Sequence, residues 1–236
     1  MKNKEIHPYL NEGNIKGSTK LILGSFPVYA CTDPDNAEKL AIRNTEGTVR
    51  FFYGSCKSRF WGLYHQFVDN KVTVPVKKKI AIDSLKKYKI AISDTIKSCK
   101  REGTSALYSD LTDIDYNFEM IQEMIKSGVT KILCTSKGVL ADLNKRILLP
   151  LEGMKIDEQK TKQFESEIIN NLSGSSDEII NPFCRVYEYK NYSIYTLAIP
   201  SPGSPQRQSH NFGWHSGPKL DYAKRFFEFA FKWLKK

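Results

Sequence analysis

Long apolar runs are missing from the sequence. Its apolar stretches, such as residues 132–134, are too short or too interrupted by charge to cross a bilayer. Lys2 and Lys4 stand near the amino terminus, but no apolar signal region follows them. These absences predict a cytoplasmic protein without a membrane partner.

Cysteine is sparse, and its spacing fits no metal site. The five cysteines are odd in number, widely separated and without a C-x-x-C pair. They are Cys31, Cys56, Cys99, Cys134 and Cys184. We expect reduced thiols, with Cys134 inside a strand, and neither a metal nor another cofactor.

Acidic residues are outnumbered by basic ones. The chain has 26 Asp and Glu against 36 Lys and Arg, a formal net charge of +10. Such a surplus favours polyanions such as DNA, although a lysine-rich composition produces the same charge without a specific partner. At 236 residues and 40% hydrophobic content, the chain is expected to form one monomeric domain over residues 1–236.

Four apolar segments predict strands, and each ends in a polar or glycine/proline loop. The segments are residues 20–23, 90–92, 131–134 and 194–199. Helical patterns cover residues 59–69, 77–87, 116–127, 137–147 and 218–235. This alternation predicts an α/β fold of three layers, αβα, with a central four-stranded, mainly parallel sheet. Ligands bind beyond the carboxyl ends of such strands, where the four loops would meet.

One segment interrupts this pattern. Residues 155–180 are charged and then rich in serine and glycine. A helix with a flexible loop, inserted into the domain, and a lid over the site are both consistent with this composition.

The loops carry motifs in a distinctive order. They are Gly-Ser-Phe-Pro at 24–27, Phe-Tyr-Gly at 52–54 with Ser-Arg-Phe-Trp at 58–61, the strand and loop at 90–96, and Ile-Pro-Ser-Pro-Gly-Ser-Pro at 199–205. Together they resemble the mismatch-specific and hypoxanthine-type branches of the uracil-DNA glycosylase superfamily, over nearly the whole chain. The resemblance implies a uracil-DNA glycosylase-like fold. It also implies a monofunctional enzyme that hydrolyses the N-glycosidic bond of a flipped base and leaves an abasic site.

The resemblance also implies site residues. Those for the base are Gly24, Ser25, Phe26, Pro27, Val28 and Asp94, with Phe26 stacking on the base. Those for DNA, duplex or locally opened, are Ser201, Pro202, Gly203, Ser204, Gln206, Arg207 and His210. Residues 24–27 could instead form only a tight turn without binding a base, and Ser201 could be only a turn residue without binding DNA. Phe60 and Trp61 are expected in the core of the first helix.

The positions of the family's water-activating Asp or Asn hold Phe26 and Ser58 here. Ser58 can hold a water molecule but cannot act as a base near neutral pH. Asp33 and Asp35 are further catalytic candidates, because a carboxylate there would stabilise positive charge on the sugar. They are equally consistent with solvated turn or helix-capping residues. A catalytically inactive nucleic-acid-binding protein of the same fold is therefore the alternative function.

Asp94 occupies the position at which uracil readers place Asn. An ionised carboxylate only accepts hydrogen bonds, so it suits a base edge with an amine, such as cytosine. A protonated Asp94, or a role as helix cap, is the alternative. Val28 stands where the uracil-specific branch has a blocking Tyr. The predicted substrate is a modified cytosine or an altered purine rather than plain uracil, in DNA repair or in defence against phage DNA.

Overall fold

The computed structural model describes residues 4–32, 48–103, 108–172, 183–202 and 218–236. In this part the chain has an α/β fold with a six-stranded and a three-stranded sheet. The strands of the larger sheet are β2 (Lys20–Gly24), β3 (Ile90–Asp94), β6 (Lys131–Cys134), β7 (Met154–Ile156), β8 (Cys184–Tyr189) and β9 (Tyr192–Ala198). Their order across the sheet is β3-β2-β6-β9-β8-β7.

The four strands predicted from the sequence form the parallel part of this sheet. β3, β2, β6 and β9 are neighbours in that order, and each adjacent pair runs parallel. β2 and β3 are buried along their whole length. Burial on both faces explains why they are uninterrupted apolar runs rather than alternating ones. Their carboxyl ends share one edge of the sheet.

Two further strands make the sheet mixed and six-stranded, where the sequence predicted four strands. β8 forms an antiparallel hairpin with β9, and β7 pairs antiparallel with β8. β7 and the helix that follows it occupy the first part of the predicted insertion at 155–180. Residues 173–182 lie outside the described part of the chain.

A small antiparallel sheet continues directly from β3. It has the order β1-β4-β5, from β1 (Glu5–Ile6), β4 (Ile96–Arg101) and β5 (Leu111–Tyr116). Ile96, Cys99 and Leu111 form its own small core, against which Phe26 packs. Because only Thr95 separates β3 from β4, this sheet brings the amino-terminal segment next to the carboxyl end of β3.

Helices connect and cover the strands. They are α1 (Leu10–Gly13), α2 (Tyr29–Thr32), α3 (Phe60–Phe67), α4 (Lys78–Lys87), α5 (Phe118–Lys126), α6 (Lys137–Asp142), α7 (Glu158–Leu172) and α8 (Pro218–Lys235), with a π-helical segment Leu143–Leu148 after α6 and a 3-10 turn Tyr108–Asp110 before β5. Helix α3 buries Phe60 and Trp61 completely or almost so, as predicted for the first helical pattern of the sequence. Within the described ranges, every helix is too short or too polar to span a membrane.

The amino-terminal edge of the parallel strands is fastened to the last helix. Lys20 Nζ donates to the Lys235 carbonyl at 2.8 Å, and Lys131 Nζ donates to the Trp233 carbonyl at 3.1 Å. Carbonyls in the last turn of a helix lack partners within the helix, and cations are favoured there. Burial lowers the pKa of both lysines. This edge is structural, and the predicted motifs lie at the opposite edge.

Cys134 lies fully buried at the end of β6, as predicted, and it links stability to pH. Burial raises the pKa of its thiol above the ordinary value of 9.0. The folded chain therefore keeps this proton at pH values at which the unfolded chain loses it. The resulting stabilisation is complete below pH 9 and is lost as pH rises further, by about 1.4 kcal/mol per pH unit.

We therefore expect Cys134→Ala to be less stable than the wild type at pH 8, because it leaves a small cavity. The difference should shrink by about 1 kcal/mol at pH 10, since the variant lacks the titrating thiol. Urea unfolding at both pH values measures this. Cys56→Ala is the control, because Cys56 is exposed. A stability difference that stays constant from pH 8 to pH 10 would contradict the assignment.

Candidate functional site

The carboxyl ends of the parallel strands lie side by side, in register, at one edge of the sheet. Gly24 of β2 is in register with Asp94 of β3. The Thr135 amide, just after β6, donates to the Leu23 carbonyl at 2.9 Å. The Ile199 amide, just after β9, donates to the Cys134 carbonyl at 2.9 Å. The loops that carry the sequence motifs thus begin side by side at one edge.

Because Gly24 has no Cβ atom, two polar side chains can approach its backbone closely. A Cβ atom at this position would lie 2.1 Å from Asp94 Oδ1 and 2.2 Å from the Tyr53 hydroxyl oxygen. Both distances are far below van der Waals contact, so only glycine permits this approach. We call His7, Gly24, Tyr53 and Asp94 the Asp94 site.

His7 binds Asp94 in a buried hydrogen bond. His7 Nε2 lies 2.8 Å from Asp94 Oδ2, and the two side chains are 0% and 6% exposed. The Tyr9 backbone amide donates to His7 Nδ1 at 3.1 Å. Since Nδ1 accepts, the imidazole proton must be on Nε2, which donates to the carboxylate. The other carboxylate oxygen, Oδ1, has no hydrogen-bond partner among the described residues.

Hydrogen bonds to two neighbouring segments fix the backbone around Asp94. The Thr95 amide donates to the Gly24 carbonyl at 2.9 Å, and the Asn117 side-chain amide donates to the Asp94 carbonyl at 3.2 Å. The residues that follow Asp94 form β4 rather than a helix. The alternative prediction, that Asp94 caps a following helix, is therefore wrong, and its carboxylate binds His7 instead.

Tyr53 is held in an unusual backbone conformation. Its φ is 52°, a left-handed value that is rare for a bulky residue and marks local strain. Its hydroxyl lies 3.3 Å from Thr135 Oγ1, and its ring stacks on Phe60 at 4.3 Å between centroids. Burial, and then the charge of Asp94, raise the pKa of Tyr53 well above its usual value. The phenol therefore keeps its proton and is a hydrogen-bond donor beside the carboxylate.

Phe26 packs between His7 and Arg101. Its ring meets the His7 ring edge-on at 5.8 Å, and the Arg101 guanidinium lies 5.4 Å from its centroid. Arg101 also donates to the Pro27 carbonyl at 2.7 Å and pairs with Glu5 at 3.2 Å. The first motif is therefore clamped to the small sheet, and Phe26 is half-buried.

The other residues of the first motif make backbone contacts. The Ser25 carbonyl accepts from the Ile96 amide at 3.0 Å, and the Val28 carbonyl accepts from the Cys31 amide at 2.8 Å. The Val28 side chain is half-buried against the main core. These bonds fix the path of the loop from β2 into α2.

Ser58 and Pro202 meet at the start of α3. Ser58 Oγ accepts from the Phe60 amide at 3.3 Å, and the Arg59 amide donates to the Pro202 carbonyl at 3.0 Å. Pro202 is buried and Ser201 is half-buried. Because Tyr53 stacks on Phe60, this contact is connected to the Asp94 site through two aromatic rings.

Several predicted residues lie outside the described part of the chain. They are Asp33, Asp35, Gly203, Ser204, Gln206, Arg207 and His210. Their predicted roles in catalysis and DNA binding stay predictions.

Comparison with known proteins identifies no relative. No family model, no curated protein and no solved structure matches the chain.

Two other features of the described residues are weaker candidates for a site. A surface depression of about 710 Å³ runs along α7, but it is lined only by the polar side chains of that one helix, among them Gln159 and Glu167. Within the described residues, no group of three or more His, Cys, Asp or Glu side chains is placed to hold a metal ion. The Asp94 site is the more organised arrangement of polar groups.

Sequence reasoning missed the roles of His7 and Tyr53. His7 lies 87 positions before Asp94 in the chain, and no pattern near it indicates this pairing. Tyr53 belongs to the Phe-Tyr-Gly motif, but only its left-handed backbone and the missing Cβ of Gly24 bring its hydroxyl beside the carboxylate.

Proposed function

We propose that the protein is a DNA glycosylase of the uracil-DNA glycosylase superfamily that excises a flipped, non-standard base. The observation that carries this proposal is the Asp94 site, where a buried carboxylate and a phenol crowd the glycine of the first motif at the carboxyl edge of parallel strands. In α/β folds ligands bind at this edge. The finer fold, a three-layer glycosylase-like domain, is part of the proposal.

The proposed substrate is a modified cytosine or an altered purine rather than uracil. Asp94, with His7 donating to one oxygen, offers only acceptors to a base. An acceptor attracts an amino group and repels the carbonyl oxygens of uracil. Val28 is smaller than the Tyr of the uracil-specific branch and leaves room for a substituent at the 5-position.

Water activation in this proposal falls to Ser58, Asp33 or Asp35. The Ser58 hydroxyl already accepts a hydrogen bond from the Phe60 amide, which leaves its proton for donation to a water molecule or another acceptor. Asp33 and Asp35 follow directly after α2 in the sequence. An aspartate at that position would stabilise positive charge that develops on the sugar.

DNA binding in this proposal uses the loop after β9. Ser201 and Pro202 stand next to the start of α3, and Arg207 is the long cation of the loop. Small side chains would let the backbone approach phosphates, and the loop would fill the space that the base leaves. The charge of +10 favours a polyanion. We place such a monomeric, cytoplasmic enzyme in DNA repair or in defence against phages with modified DNA.

A panel of duplexes tests this function. Each duplex carries uracil, hypoxanthine, 5-hydroxymethylcytosine or glucosylated hydroxymethylcytosine at one position, and alkaline cleavage reports abasic sites. We expect excision of at least one modified base at a rate 10-fold or more above that of uracil. Clean activity on uracil alone would contradict the proposed substrate class. Asp33→Asn, Asp35→Asn and Ser58→Ala then identify the residue whose loss removes turnover while DNA binding persists.

A catalytically inactive nucleic-acid-binding protein is the second candidate. The observation that favours it is the absence of the family's Asp or Asn at positions 26 and 58. It predicts duplex affinity that falls steeply with salt, together with no abasic sites on any duplex of the panel.

A further inference from the structure

We propose that His7 is a positioning residue that orients the Asp94 carboxylate, so that the site selects a base with an amino group at its recognised edge. This inference rests on the proposed function and deepens it. His7 would set the orientation of the carboxylate on which the choice of base depends.

The position of His7 is fixed by its backbone and by the rings around it. The His7 amide donates to the Lys97 carbonyl at 2.8 Å, which continues the pairing of β1 with β4. The imidazole lies 5.1 Å from the Phe52 ring and 5.8 Å from the Phe26 ring. The side chain is fully buried, so it has little freedom to leave Asp94.

The Tyr9 amide fixes the tautomer. Because it donates to His7 Nδ1, a proton on that nitrogen would oppose another N–H. The neutral imidazole with its proton on Nε2 is the form that satisfies both contacts. In that form His7 donates to Asp94 Oδ2, which fixes the rotation of the carboxylate and keeps Oδ1 at the face of Gly24.

Asp94 Oδ1 is the atom left for a ligand. The Asp94 side chain is 6% exposed, and Oδ1 lies at the face of Gly24 with no hydrogen-bond partner among the described residues. A carboxylate oxygen with unused acceptor capacity, in a side chain that is mostly buried, can accept a hydrogen bond from a ligand. An amino group of a base supplies one.

Loss of the His7 donor would change what Asp94 presents. Without the donor on Oδ2, the Asp94 carboxylate is free to rotate about its Cβ–Cγ bond. Oδ1 then no longer stays at the face of Gly24 as an acceptor for an amino group. The preference for the amino edge over the oxo edge therefore weakens.

Two bases that differ at one position test this directly. 5-Hydroxymethylcytosine and 5-hydroxymethyluracil share the 5-substituent but carry an amino and an oxo group at position 4. Single-turnover excision and equilibrium affinity are measured for both, in the same duplex sequence, and expressed as an amino-to-oxo ratio. Differences in duplex stability cancel when the ratio of a variant is divided by that of the wild type.

We expect His7→Leu to lower the ratio at least 10-fold. His7→Gln, whose amide supplies an N–H donor, should keep it within threefold of the wild type. His65→Leu is the control for the loss of a histidine, since His65 is exposed, bonds to the Val72 carbonyl and has no contact with Asp94 among the described residues. A His7→Leu ratio within threefold of the wild type would overturn the inference while leaving the glycosylase function intact.

Failure of the proposed function gives a different result. If the wild type excises neither base, the glycosylase proposal fails, and the affinity ratio alone then decides the inference. Nitrogen-15 NMR of labelled histidine provides a measurement that needs neither turnover nor a variant. We expect Nε2 of His7 to carry the proton that it donates to Asp94, and Nδ1 to accept from the Tyr9 amide. A tautomer with its proton on Nδ1 alone would overturn the inference.

Discussion

Replacing Gly24 with alanine is expected to abolish recognition of the base and to lower the free energy of unfolding by about 1–3 kcal/mol. The new Cβ would lie 2.1 Å from Asp94 Oδ1 and 2.2 Å from the Tyr53 hydroxyl. Neither atom can stay in place, so the carboxylate and the phenol must move apart. Urea unfolding measures the loss of stability, and affinity for a duplex with 5-hydroxymethylcytosine measures the loss of binding.

Gly62 in α3 is the matched control for this substitution. A Cβ at Gly62 would have no neighbour within 4 Å. Alanine is favoured over glycine inside a helix by about 1 kcal/mol, so Gly62→Ala should be slightly more stable than the wild type and bind DNA equally well. Normal base recognition by Gly24→Ala would show that the close approach of Asp94 and Tyr53 has no role in the site.

The second large effect is expected from Asp94→Asn. We expect the affinity or excision rate for 5-hydroxymethylcytosine to fall at least 100-fold and the preference to reverse toward 5-hydroxymethyluracil. A site built to bind one polar edge discriminates strongly against an edge that leaves its groups unpaired. The asparagine amide both donates and accepts, so it can pair with the oxo edge. Competition binding with the two duplexes measures the reversal.

Asp69→Asn is the control for a general loss of stability. Asp69 is also a buried aspartate, but it accepts from Ser84 Oγ at 2.7 Å and pairs with Lys87. This variant should be less stable and keep the amino-to-oxo preference of the wild type. An unchanged preference in Asp94→Asn would exclude Asp94 as the residue that reads the base.

Sequence alone predicted the parallel part of the fold well. β2 and β6 are short apolar runs that end at glycine or polar residues, and burial on both faces makes such runs recognisable. Five helices, α3, α4, α5, α6 and α8, were predicted because their apolar residues recur at helical spacing, whereas the single-turn helices α1 and α2 were not predicted. α5, predicted over residues 116–127, forms as Phe118–Lys126.

The remaining strands were not predicted because their sequences are less distinctive. β4 reads Ile-Lys-Ser-Cys-Lys-Arg, with charged residues between buried ones. β7 has only three residues. Such strands are stabilised by their partners in the sheet rather than by local propensity, so pairing across long sequence separations decides them.

The difference between local sequence signals and contacts across long sequence separations also explains which parts of the site were predicted. That Gly24 and Asp94 share one edge was predicted because both end apolar strands of one parallel sheet, while their role as site residues was implied by the family resemblance. The contacts of Asp94 with His7, and of Tyr53 with Thr135, depend on side chains from separate segments. Only the folded chain brings those segments together.

The level register of β2 with β3 has a consequence for engineering. A strand that slides by one residue turns every side chain to the opposite face, and β3 is paired with β2 over its whole length. The register of β3 on β2 therefore decides to which face of the sheet the side chain at position 94 points. If the proposed function holds, a new base preference therefore has to come from exchanging the residue at position 94, because the strand cannot present its side chain to the other face without a change of register.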